Sequence, residues 1–146
     1  MVQIGISARI FGVSGFIVCL ITCLRIAQVL LTDPHQELFP LPAFYLLEMI
    51  AASLVAAIGT FKEGERWGRA IWAAGGIIAA FVLMGGFSIG FFFIPTATLV
   101  LIAALLSWRR HHTQFLIAAI TYIVAFVMQI ILMFAAIRIL YPNAMF

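Results

Sequence analysis

No charged residue interrupts the chain between Arg69 and Arg109, a run of about forty residues reading AIWAAGGIIAAFVLMGGFSIGFFFIPTATLVLIAALLSW. As one straight α-helix it would extend about 60 Å, twice the roughly 30 Å hydrocarbon thickness of a bilayer. A run of this length has to reverse, and Gly85-Gly86-Phe87-Ser88-Ile89-Gly90 is where it can. Glycine accepts the left-handed conformation that closes a helix, and Ser88 is a candidate N-cap for the next one. The expected product is a membrane hairpin with Arg69 and the pair Arg109-Arg110 on the same side.

Composition extends that reading to the whole chain. Of 146 residues, 66% are hydrophobic and 9% charged, against roughly 25% charged in soluble domains. So few charges do not cover a soluble core. The expected architecture is all-α, a single transmembrane domain over 1–146. The net charge of +3 is not a nucleic-acid footprint, because the basic residues fall in short loops, where membrane orientation explains them.

Five spans are expected. The first runs from Gly5 to Leu31, too long for the apolar core of a cleaved signal peptide, and is read as retained. Its small residues Gly5, Ala8, Gly12 and Gly15, with Ser7 and Ser14 beside them, form a face for close helix packing. A loop with three prolines, Pro34, Pro40 and Pro42, leads to span two, Ala43 to Phe61. There Ala52 with Ala56, and Ser53 with Ala57, repeat the small-residue spacing. The charged loop Lys62 to Arg69 precedes span three, Ala70 to Gly86, where Gly75 with Ala79 and Gly76 with Ala80 continue the pattern. Span four covers Ile89 to Trp108, with Pro95 in its first two turns. Span five covers Gln114 to Leu140.

Loop charges orient the bundle. With the N-terminus inside, the inner segments hold Arg9, then Lys62, Arg66 and Arg69, then Arg109 and Arg110, while the outer loops hold no Lys or Arg. Counting the hairpin as one span would turn Arg109 and Arg110 outward, against the positive-inside rule. A multi-pass protein of a bacterial inner membrane is expected, N-terminus cytoplasmic and C-terminus outside.

Polar residues within spans are the candidates for function, because a charge in hydrocarbon is costly. Arg25 and Glu48 lie at similar depths from the outer ends of spans one and two. They are expected to pair and set the register of the two helices, with a proton or ion relay through Glu48 and Gln28 as the alternative reading. Gln28 lies three residues from Arg25 and so shares its helix face. Gln129, in the middle of span five, reads as an interhelical hydrogen bond, or else as a ligand contact. Cys19 and Cys23, one turn apart, read as small core residues. His111 and His112 project about 100° apart on a helix and do not converge on one metal. With Arg66, Arg69, Arg109 and Arg110 they are candidates for contact with lipid headgroups. Glu63 and Glu65, flanked by Lys62 and Arg66, read as a solvated salt-bridged loop. No nucleophile with a neighbouring base, phosphate-cradling loop or HExxH motif is present. No catalytic activity, metal or cofactor is expected.

Arg66-Trp67-Gly68-Arg69 before a span, and Gly86-Phe87-Ser88-Ile89-Gly90 leading through Pro95 into the next, together resemble small bacterial polytopic membrane proteins of uncharacterised function. The resemblance covers about a third of the chain. It implies a bacterial membrane and a helical bundle, and transfers no active site. This chain carries a C-terminal span beyond the four of that pattern.

The functional expectation is a non-catalytic accessory or structural subunit of a larger membrane complex, in a respiratory or photosynthetic setting. It would pack through its small-residue faces against other transmembrane subunits, with an outer surface that binds membrane lipids. The alternative is a small oligomeric transporter or channel built on Glu48, Arg25 and Gln129.

Overall fold

The computed structural model describes residues 2–32, 41–85, 89–108 and 114–140. Within them run five α-helices: α1 (Val2–Thr32), α2 (Leu41–Phe61), α3 (Glu65–Met84), α4 (Ile94–Trp108) and α5 (Phe115–Leu140). A 3-10 segment, Ile89–Phe93, leads into α4. Together with that segment, the five helices are each long and apolar enough to cross a membrane. The protein is an all-α bundle of the multi-pass membrane type.

The helices do not share the packing equally. α1 lies against α2 and α4, and α3 completes the square by packing on the same two helices. α5 stands outside that square and docks on α3. It buries only Ala118, Gln129 and Met133 among its side chains, while Phe93, Met49, Ile71, Ile78 and Val100 are the largest fully buried side chains and belong to the other elements.

Small residues let the helices approach, as their spacing led us to expect. A Cβ added at Gly12 would meet the Thr60 side chain at 2.7 Å, and one at Gly15 would meet Val100 at 3.2 Å. The small-residue stripe of α1 is thus divided between α2 and α4. Ala52, Ser53, Ala56 and Ala57 are all buried on α2. On α3, a Cβ at Gly76 would collide with the backbone carbonyl of Tyr122, so α5 rests on its neighbour backbone to backbone. Trp72 of α3 meets both Phe115 and Tyr122 of α5 edge to face, with ring centroids 6.3 Å apart in each pair.

One local expectation is corrected. Lys62 to Arg69 was expected to be loop, yet α3 begins at Glu65 and takes Arg66, Trp67, Gly68 and Arg69 into its first turns. The turn closes when Gly64 O accepts from Trp67 N at 3.2 Å and Gly68 N at 3.3 Å, and Glu65 pairs with Arg69 one turn on at 3.7 Å. Hydropathy marks where lipid begins, and the helix extends beyond it. At the reversal, Gly85 ends α3 at φ −90°, and Gly86 lies outside the described residues. Glycine matters at the reversal through contact: Gly90 N donates to Gly85 O at 2.7 Å, and a Cβ on Gly90 would strike the Gly85 backbone. Ser88, the expected N-cap, lies outside the described residues. Pro95 is the second residue of α4, in the first turn of the α-helix, where a missing N–H is best tolerated.

Candidate functional site: an acid-lined crevice between α2 and α5

α5 is held mainly by α3, so α2 and α5 face each other across a gap. They meet where the Tyr45 hydroxyl donates to the Met133 carbonyl at 3.4 Å. Beside that contact lies a crevice of about 230 Å³. Phe44, Tyr45 and Glu48 line it from α2, and Gln129, Leu132, Met133 and Ala136 line it from α5. The spacing explains the gathering: 45 and 48 share a face of α2, and 129, 132, 133 and 136 share a face of α5.

The crevice holds two of the four intramembrane polar residues expected to matter. Glu48 is half-buried and Gln129 is 3% exposed. Neither makes a side-chain hydrogen bond or ion pair to another described residue. The interhelical hydrogen bond expected of Gln129 is therefore not formed within the described part of the chain. A carboxylate, a primary amide and the rings of Phe44 and Tyr45 surround one small space. Such a set can accept hydrogen bonds from a cation and offer it aromatic faces. Tyr45 was not among the residues singled out from the sequence; its position three residues before Glu48, on one helix face, was the available signal.

Arg25 and Gln28 are elsewhere, and the expected Arg25–Glu48 pair is not formed within the chain. Both residues are exposed on the outer stripe of α1. The cause lies in how α1 meets α2. Cys19 Sγ donates to Met49 O at 3.4 Å, and Cys23 Sγ donates to Leu46 O at 3.6 Å. Cys19, Cys23 and Ile26 thus define the face turned to α2. Arg25 is two residues past Cys23, about 200° around the helix at about 100° per residue. Glu48 is likewise rotated away from the Leu46–Met49 face. The same register brings Arg25 level with the first residues of α2, about one turn from Glu48.

The cysteines are free and buried, as core residues, with sulfurs 4.0 Å apart. Among the described residues no three His, Cys, Asp or Glu side chains gather to hold a metal. At the opposite end of the bundle, Arg9 lies 5.4 Å from the centroid of the Phe61 ring, and its Nε is buried without a hydrogen-bond partner among the described residues. Arg66 and Arg69 are exposed there at the start of α3. Arg109, Arg110, His111 and His112 lie outside the described residues.

Comparison with protein-family models, with curated proteins and with solved structures finds no match to this chain.

Proposed function

We propose that the protein is a non-catalytic subunit of a larger bacterial membrane assembly, packing against other transmembrane helices. The observation that carries this reading is the position of α5. It is joined to the bundle along α3, buries three side chains, and leaves Glu48 and Gln129 in a crevice without hydrogen-bond or ion-pair partners among the described residues. A half-buried carboxylate at membrane depth is costly unless something pairs with it. A neighbouring helix that brings a donor into the crevice removes that cost and covers the open side of α5. The basic residues Arg9, Lys62, Arg66 and Arg69 orient the end of the bundle opposite the crevice to the cytoplasm under the positive-inside rule, where the exposed arginines of α3 contact anionic headgroups.

The test is gentle extraction of native membranes followed by native electrophoresis and identification of what migrates with the chain. Migration in an assembly larger than the 16.1 kDa chain is expected. Migration as a monomer with bound lipid overturns the reading.

A second reading, a small oligomeric transporter, draws on the same crevice. An acid, an amide and two aromatic rings together suit a cation in transit. Flux in vesicles that depends on pH or on a cation, and that is lost in Glu48→Gln, would favour it.

A further inference from the structure

We infer that the occupant of the α2–α5 crevice is Arg25 of a second copy of this chain, so that copies join head to tail through an Arg25–Glu48 ion pair. The inference rests on the assembly reading above and names the partner. Arg25 lies on the exposed stripe of an apolar helix, seven residues before the helix ends at Thr32. Glu48 lies seven residues after α2 begins at Leu41. Each is thus about 10 Å from the same-side end of its own helix. Each is an intramembrane charge without an ion-pair partner among the described residues. Their signs are opposite.

Side-chain direction brings them closer in depth. Helical side chains lean toward the N-terminus of their own helix. For Arg25 that direction is inward, away from Thr32; for Glu48 it is outward, toward Leu41. The two functional groups therefore converge on one level from helices whose Cα positions differ by about one turn. The same lean turns Arg25 away from the nearer headgroup layer, which disfavours snorkelling. In the crevice the guanidinium would meet the Glu48 carboxylate, the Gln129 amide oxygen and the rings of Phe44 and Tyr45, a site that suits Arg better than Lys. Arg138, the other cation at this end, is two residues past the crevice-lining Ala136 and so lies on the far side of α5.

Within one chain the two residues face different directions, so one surface carries the Arg and another carries the acid. Contacts of that kind are heterologous, and they close into a ring when the rotation permits. The outer stripe of α1 in one copy then covers the open side of α2 and α5 in the next.

Two differently tagged full-length chains, co-expressed and extracted gently, test this. Wild-type copies should co-purify. Arg25→Glu in both copies, or Glu48→Arg in both, should weaken co-purification about tenfold or more, equivalent to about 1.4 kcal/mol. The double variant carrying both reversals should recover it, which a folding defect would not produce. Arg25→Cys in one tagged copy and Glu48→Cys in the other, each in a Cys19→Ala, Cys23→Ala background, should cross-link only across the two tags. Co-purification unmoved by either reversal overturns the inference, as does self-association that the double variant fails to restore. Capture of other membrane proteins without the second tag overturns it too, while leaving the assembly reading intact. A monomer in every case removes both.

Discussion

The Cα of Gly76 lies against the carbonyl oxygen of Tyr122 so closely that no Cβ fits between them. That contact fixes α5 to α3. In lipid there is little hydrophobic gain in bringing two apolar helices together, so association depends on packing at such points. Gly76→Ala is expected to cost about 1–3 kcal/mol through overpacking. The loss should fall on α5, read as faster proteolysis of the 114–140 segment in detergent while α1–α4 stay protected.

Trp72 supports the same junction from the side, 6% exposed and edge-on to both Phe115 and Tyr122. Trp72→Ala is expected to destabilise the protein by about 3 kcal/mol or more. A double-mutant cycle with Tyr122→Leu should return a coupling of about 0.5–1.5 kcal/mol. Additive effects in that cycle would mean that the ring contact contributes nothing beyond buried area.

The thiols of Cys19 and Cys23 donate to carbonyls of α2 from within the core. A water-soluble maleimide applied to intact membranes should label neither, and both should react once the protein is denatured in SDS. Cys19→Ala and Cys23→Ala should each lower stability by about 1 kcal/mol, since a small side chain and one weak hydrogen bond are lost. Rapid labelling in the native membrane would contradict the α1–α2 packing described above.

Two glycines should respond to alanine for different reasons. Gly90→Ala brings a Cβ onto the Gly85 backbone and should cost about 1–3 kcal/mol by collision. At Gly64 nothing lies within 4 Å of an added Cβ, but φ is +106°, so Gly64→Ala costs about 1–3 kcal/mol through backbone strain alone. Denaturation midpoints of the two variants in one detergent check both values. Further enlargement to Val should worsen position 90 far more than position 64.

Arg25 and Glu48 do not pair within the chain because rotation about the helix axis, and not only depth, decides contact. Counting residues from the helix ends puts both about two turns inside their own helices, because rise per residue is constant, but misses the offset of about one turn that the Cys19–Met49 and Cys23–Leu46 contacts impose. It says nothing about rotation around each axis. Nearly every position of these helices is apolar, so no amphipathic stripe marks the face that turns inward. Cys19 and Cys23 carried the missing information, since small polarisable residues one turn apart point to a close interface, but that signal is shared with ordinary core packing. The start of α3 was misplaced for a related reason: Glu65 to Arg69 are polar enough to lie beyond the lipid and still belong to the helix.

Span count, the reversal at Gly85–Gly90 and the stripes of close packing are all legible in the residues themselves. They follow from local quantities: the length needed to cross hydrocarbon, the absence of charge over that length, and the size of side chains one turn apart. The exclusion of α5 from the four-helix square and the crevice it leaves beside Glu48 are decided by tertiary structure alone, as is the outward rotation of Arg25. Where almost every side chain tolerates lipid, hydrophobicity no longer selects which helix is central. Fit between particular surfaces selects it instead, and at α3 that fit is the glycine that lets α5 approach.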